Sequence, residues 1–172
     1  MIERVHETPI GSLVLAADGG ALVALRFMDR ARDVTPSGLI TPAGDFFSAD
    51  DKIPSRDAPV LAEASRELDA YFARRLRAFS VPLAPIGTPF QLAVWAALRA
   101  IPFGETRSYA DIARMTGRPR AFRAVGMANH ANPLPIFIPC HRVINADGSL
   151  GGYGAGLEAK RTLLDIEGLS LT

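Results

Sequence analysis

SYADIARMTGRPRAFRAVGMANHANPLPIFIPCHRV, residues 108–143, contains two short helical patterns followed by the only cysteine of the chain. Ser108 is placed to cap a helix over residues 109–115, which Gly117 breaks. Pro119 opens a second predicted helix running to about Asn129. Two short helices joined by a glycine-containing turn, the second one basic, form a helix-turn-helix pattern. Many helical hairpins with no role in DNA binding share it. The second helix stands out for its small residues: Ala121, Ala124, Gly126, Ala128 and Ala131 leave much of its surface without bulk. Such a surface lets a backbone approach closely, and both a neighbouring helix and a nucleic-acid groove fit that description.

Cys140 stands between Pro139 and His141, after the apolar run Ile136-Phe137-Ile138. A single thiol forms no internal disulfide, and metal sites gather several Cys or His ligands. Two readings remain: an inert buried thiol, which free cysteine usually is, or a nucleophile. The adjacent histidine and the basic, small-residue segment upstream favour the nucleophile. An unperturbed thiol, with a pKa of ~8.5, is mostly protonated at neutral pH and needs a base or cation nearby. Adjacent side chains usually diverge, so His141 is expected to reach Cys140 through a water. A histidine base also needs a partner on its other ring nitrogen. Glu167 is the candidate. It sits in the last turn of the final predicted helix, where a carboxylate opposes the dipole at a cost of roughly 0.3–1 kcal/mol. That cost suggests a partner elsewhere; an exposed, tolerated glutamate is the alternative.

Upstream, Ile2–His6, Ser12–Ala17 and Ala21–Phe27 read as a β-meander turned at Pro9-Ile10-Gly11 and at Asp18-Gly19-Gly20. Residues 29–57 are rich in Pro, Gly, Ser and Asp without a period, so partial disorder or short irregular pieces are expected. Leu61, Ala64, Leu68, Tyr71 and Phe72 then recur at helical spacing, opposite Glu63, Arg66, Glu67 and Arg74, with Asp57 a candidate cap. Ala84-Pro85-Ile86-Gly87 reads as a linker between a domain of residues 1–84 and one of residues 85–172. Thr88-Pro89-Phe90-Gln91 starts a helix whose Phe90, Val94, Leu98 and Ile101, with Trp95 beside them, form a core stripe. Pro102-Phe103-Gly104 ends it. The glycine-rich run 151–156 lacks the ending of a P-loop and the G-x-G-x-x-G pattern. Its backbone amides and Tyr153 are expected to wall a small planar pocket.

The 172 residues, 48% hydrophobic and 22% charged, describe an ordinary globular chain. No apolar run is long enough to cross a membrane, the N-terminus lacks a signal-peptide pattern, and the cysteine usage suits a reducing interior. A cytoplasmic location is the expectation. Net charge is +1, but residues 1–84 carry 10 Lys+Arg against 12 Asp+Glu, and residues 85–172 carry 9 against 6. From Ile112 to Ala146 there is no acid, yet Arg114, Arg118, Arg120, Arg123 and Arg142 all fall there. An acid-free arginine face suits phosphate contacts; a merely solvated basic surface is the plainer reading.

Tyr109, Arg123-Ala124-Val125-Gly126, Asn132-Pro133, the run from Ile138 to Ile144, Gly152-Tyr153 and the segment from Lys160 to Gly168 together resemble an O6-alkylguanine–DNA alkyltransferase. That family is also called methylated-DNA–protein-cysteine methyltransferase. The resemblance covers residues 88–168 in order and residues 1–84 in outline. It implies an α+β fold: a small N-terminal antiparallel-sheet, RNase H-like domain with a helix, then a mostly helical, winged-helix-like DNA-binding and catalytic domain. It implies that Cys140 takes an alkyl group from guanine O6, and also from thymine O4, in duplex DNA. His141 would deprotonate Cys140 through a water, Glu167 would orient His141, and Asn132 would brace the turn before the cysteine. Arg123 would replace the flipped nucleotide. Tyr109 would assist flipping and donate a proton to the departing guanine. Arg118, Arg120, Ala124 and Gly126 would meet DNA. The carbonyls of Cys140 and Val143 would accept from the guanine amino group, with Tyr153 and the Gly154 amide lining the pocket. No cofactor and no metal are implied, and each molecule would act once. A monomer is expected, with cooperativity on DNA left open. Two departures stand out: Phe122 beside Arg123, where the family commonly has a small residue, and Gly154 in place of a frequent serine.

Two other classes remain at this stage. A sequence-specific helix-turn-helix regulator would read the major groove and leave the cysteine segment unexplained. A Cys-His hydrolase would turn over repeatedly and would need an oxyanion hole.

Overall fold

The computed structural model describes residues 1–28 and 56–170, together with the backbone of residues 39–40 and 46–47. It divides into two compact units, Met1–Pro85 and Ile86–Thr172.

The first unit is built on an antiparallel meander of β1 (Ile2–Thr8), β2 (Gly11–Asp18) and β3 (Ala21–Phe27). Gly19 and Gly20 both take positive φ, 64° and 86°, which closes the β2–β3 hairpin with the twist that two-residue turns favour. Two-residue strands β4 (Leu39–Ile40) and β5 (Phe46–Phe47) extend the sheet to the order β3-β2-β1-β4-β5. Apart from these four residues, the expectation for residues 29–57 lies outside the described residues as far as residue 55. Five successive residues of β2, Leu13 to Ala17, are buried. Helix α1 (Ala58–Phe72) packs on the sheet through Leu61, Ala64, Leu68 and Tyr71.

Two expectations about α1 are corrected. Asp57 occupies the cap position but makes no cap bond; its carboxylate accepts from the Gly20 amide at 2.6 Å and ties the hairpin to the helix start. Glu67 is buried rather than on the polar face. It accepts from the Ser80 amide (2.9 and 3.1 Å), the Val81 amide (3.2 Å) and the Ser80 hydroxyl. Those donors lie on a returning segment that no helical period reveals.

The second unit starts with α2 (Pro89–Arg99), closed by the reciprocal Thr88–Gln91 capping box. Val94, Trp95, Leu98 and Ile101 are buried, and the Trp95 indole donates to the Ala128 carbonyl at 2.8 Å. Gly87 is required here, because a Cβ would sit 2.6 Å from that indole. β6 (Arg107–Ser108) leads into α3 (Tyr109–Met115), capped by Ser108 and Asp111. The second helix of the pair, α4, spans Phe122–His130 and not residues from Pro119. Arg118 to Ala121 form a turn closed by the Ala121 amide on the Arg118 carbonyl (2.8 Å). Proline's fixed φ suits the second position of such a turn as well as a first helical turn. A 3₁₀ turn, Cys140–Arg142, precedes β7 (Val143–Ile144), which pairs in parallel with β6. That pairing sets the start of α3 beside the strand leaving the cysteine. Helix α5 (Gly156–Ile166) packs against the 3₁₀ turn.

Candidate active site

The cysteine is delivered by a loop stapled at both ends. The Asn132 side-chain oxygen accepts from the Leu134 amide (3.0 Å), and its nitrogen donates to the Ile138 carbonyl (2.8 Å). Within the loop, Ile136 is held at φ 76°, a region β-branched residues rarely enter, with its side chain buried. Pro139 then adopts φ −78°, ψ 66°, an inverse γ-turn closed by the Cys140 amide on the Ile138 carbonyl (2.7 Å). Cys140 therefore opens the 3₁₀ turn from inside the core, 5% exposed.

His141 follows it, fully buried, with Nε2 2.8 Å from Glu167 Oε1. With Glu167 ionised, Nε2 carries the proton and Nδ1 keeps the lone pair that a general base needs. Glu167 caps the end of α5 and is also buried. Its two oxygens accept further bonds from Arg142 Nε (2.9 Å), Arg142 Nη2 (3.0 Å) and the Gly104 amide (3.1 Å). Burial opposes a charge there, but the bonds from His141 and Arg142 outweigh it and hold the carboxyl at about 2. Arg142 is fixed in turn by donating to the Ile101 carbonyl at 2.6 Å.

Arg142 thus does not belong to the arginine face expected from its sequence. It is a buried clamp on Glu167. Lys160 is a second buried cation, donating to the carbonyls of Val143 (2.6 Å), Leu150 and Gly152 (3.4 Å). Burial pushes it down to about 8, so it remains an ammonium at neutral pH. The Val143 carbonyl, expected to be open to a ligand, already receives this ammonium. From sequence, Lys160 had no assigned role and Arg142 was placed on the arginine face; the one contrary signal for Arg142 was its position between Cys140-His141 and Val143-Ile144.

The thiol itself departs from the sequence expectation. Burial pushes Cys140 up to about 11, against smaller opposing effects of the Asn132 side chain and the Lys160 charge. At rest it is a neutral thiol. Burial also lowers His141 from its ordinary value, more than Glu167 raises it, so the imidazole is neutral at pH 7.

Cys140, His141, Val143 and Glu167 are therefore buried together, with the half-buried Asn132 bracing the loop that leads to them. Tyr109, the first residue of α3, stands at their edge. Burial, with a lesser contribution from Cys140, raises its pKa and keeps it a phenol. Its hydroxyl lies 3.3 Å from where a Gly151 Cβ would be, so that glycine, at φ 64°, makes room for it. Tyr153 is half-buried and Gly154 exposed in the loop that follows. The bulk-free face of α4 is narrower than expected: Ala128 is buried, Gly126 backs onto the Tyr109 ring, and Ala124 stays exposed. Arg118, Arg120 and Arg123 are exposed, with Arg118 over the Phe90 ring at 5.1 Å. Among the described residues, no group of three or more His, Cys, Asp or Glu is arranged to hold a metal ion, and no helix is long and apolar enough to cross a membrane.

Comparison with known proteins accounts for both units. Residues 1–85 match the 6-O-methylguanine DNA methyltransferase ribonuclease-like domain, and residues 89–169 match the DNA binding domain of the same name. A methylated-DNA–protein-cysteine methyltransferase of Methanosarcina acetivorans is 45% identical, covering 98% of this chain and 99% of its own. One from Mycobacterium leprae is 46% identical over 95% of this chain and 90% of its own. The crystal structure of Mycobacterium tuberculosis OGT in complex with DNA superposes with a TM-score of 0.78 at 43% identity, covering 96% of this chain and 92% of that one. With matched domains spanning nearly its whole length and relatives this close, the chain belongs to the methylated-DNA–protein-cysteine methyltransferase family.

Proposed function

We propose that this protein repairs alkylated DNA by direct reversal, moving the alkyl group from O6 of guanine, and from O4 of thymine, onto the Cys140 sulfur. The observation that carries this reading is a lone buried thiol beside a histidine whose far nitrogen is held by a clamped carboxylate. Relatives named for the same chemistry and a neighbour solved on DNA support it.

The target oxygen lies inside the duplex, so the nucleotide must leave the stack, at a cost of a few kcal/mol. Arg123, exposed on α4, would fill the vacated place, with Arg118, Arg120 and Ala124 against the backbone and groove. Minor-groove readout is degenerate, which suits a protein that must act in any sequence. The base then enters beside Tyr109, Tyr153 and the Gly154 amide. His141 Nδ1 takes the thiol proton through a water, and the sulfur attacks the alkyl carbon in line with O6. The S–C bond forms as the C–O6 bond breaks, and the electron pair stays on the base. The phenol of Tyr109 supplies a proton to the base, and the proton held by His141 returns through water to the Tyr109 phenolate, so that in net terms guanine gains the proton that Cys140 loses. A thioether with no hydrolytic step leaves each molecule spent after one transfer.

A neutral resting thiol fits this scheme. A protonated thiol is a weak nucleophile, which protects the single-use sulfur from other electrophiles until His141 takes its proton. The test is to incubate the protein with a duplex carrying O6-methylguanine and weigh it intact. One methyl mass added, and none in Cys140→Ala, is expected; repeated turnover with an unmodified Cys140 overturns the reading.

A further inference from the structure

Helix α4 opens with a phenylalanine that the folded chain leaves 47% exposed, Phe122, directly before Arg123. Four residues of α-helix advance one turn plus about 40°. Phe122 and Gly126 therefore share a flank of α4, and Gly126 is the residue that backs onto the Tyr109 ring. Phe122 thus lies on the side of Arg123 that looks toward the cysteine pocket. The Arg123 guanidinium stands 5.9 Å from the Phe122 ring centroid, within cation–π range. On the other side, Met127, four residues after Arg123, is 72% exposed. The surrounding surface is low, with Ala121 half-buried and Ala124 exposed, and it is bordered by Arg118 and Arg120 with no acid from Ile112 to Ala146. An exposed aromatic ring rising from a small-residue helix face between arginines matches a polyanion whose interior is stacked rings. It matches a protein partner poorly, because the arginines would have no acids of their own chain to order them.

Resting on the repair reading above, we propose that Phe122 is a second probe of the duplex: an apolar wedge that enters the minor groove beside Arg123 and stacks on the base step flanking the extruded nucleotide. Apolar side chains that enter the minor groove pry open base steps and kink the duplex. Arg123 fills the gap left by one nucleotide, and Phe122 keeps the neighbouring base from collapsing back into it. The Arg123–Phe122 contact parks both side chains together before DNA arrives. Phe122 touches no reacting atom in this scheme; it is a positioning residue for the substrate base.

The test compares rates of Cys140 methylation by a duplex carrying O6-methylguanine, with 2-aminopurine as the adjoining base, to rates with free O6-benzylguanine. In Phe122→Ala the duplex-to-free-base ratio is expected to fall roughly tenfold, the scale of one aromatic–base stack. The 2-aminopurine fluorescence rise on binding, which reports unstacking of the neighbour, should shrink in parallel. Phe122→Trp should restore both. A ratio that stays level or rises in Phe122→Ala, while wild-type protein transfers the methyl group, overturns the wedge and leaves the repair reading intact. Wild-type protein whose Cys140 is alkylated by neither substrate overturns the repair reading and the wedge with it.

Discussion

Helices α1 and α5 each bury one glutamate, and the two carboxylates serve different ends. Glu67 in the first unit is surrounded by neutral donors: two backbone amides and a hydroxyl, all from Ser80 and Val81. It pins a returning stretch of chain. Glu167 in the second unit is surrounded by His141, Arg142 and the Gly104 amide. Two of its three partners are charged or titratable side chains, where those of Glu67 are all neutral. Burial of an acid is therefore no mark of catalysis. Of the two, only Glu167 holds a titratable partner, His141, which follows Cys140 in the chain.

The sharpest way to break this contrast is to neutralise both acids. Glu167→Gln should slow alkyl transfer by about 100-fold or more, the usual range for losing general-base assistance. A neutral amide cannot both orient the Nε2 proton and balance the Arg142 charge. Glu67→Gln should instead cost about 1–3 kcal/mol of stability, the range for a disrupted buried hydrogen-bond set, and leave the transfer rate alone. Stopped-flow rates with an O6-methylguanine duplex and urea midpoints separate the two. Equal slowing in both variants would erase the distinction.

Acid should sharpen it next. The folded-state pKa of Glu167 is depressed to about 2, below an unfolded value of about 4.3. Its stabilisation is then fully present above the unfolded value and is lost as pH falls through the folded one. His141 acts in the same direction: the fold favours its neutral form, so that contribution is present above about 6.5 and is lost as pH falls below it. Urea midpoints should decline with acid in the parent, and the decline between about pH 4.3 and 2 should flatten in Glu167→Gln. The alkylation rate should stay level as pH falls from 7 through 6.5, because a lowered His141 is still a free base there.

What the sequence revealed follows how far each partner lies along the chain. The Thr88–Gln91 box and the Ser108 cap were legible because each cap and its partner lie three residues apart, although the Asp111 half of the second box was not read. The Cys140, His141 and Glu167 grouping was legible through chemistry: a nucleophile needs a base, and a base needs an orienter. Arg142 was misread as surface because its partners lie 25 and 41 residues away. Glu67 was misread because its donors return 13 residues later. Pro119 misplaced a helix start because one φ value serves two structures. The raised Cys140 pKa was invisible for a related reason: desolvation is set by everything packed around the sulfur, not by its neighbours in sequence.

The smallest expected effect returns to the ends of the same two helices. Each closes in a Schellman pair of bonds: Arg74 N to Tyr71 O with Arg75 N to Ala70 O in α1, and Gly168 N to Asp165 O with Leu169 N to Leu164 O in α5. The residue that turns the chain must take positive φ. In α5 it is Gly168, at 83°, with nothing within 4 Å of where a Cβ would be. In α1 it is Arg74, at 59°, an exposed residue that bears a Cβ against its own carbonyl. Arg74→Gly should therefore stabilise the protein by about 0.5–1 kcal/mol, the steric relief being partly offset by the entropy of an extra glycine in the unfolded chain. Gly168→Ala should destabilise it by about 1 kcal/mol by the same backbone preference. Because Gly168 follows Glu167 directly, Gly168→Ala should also slow alkyl transfer, whereas Arg74→Gly should not. A slower Arg74→Gly protein would mean that the end of α1 contributes to the chemistry, and the division between a holding helix and a working one would fail.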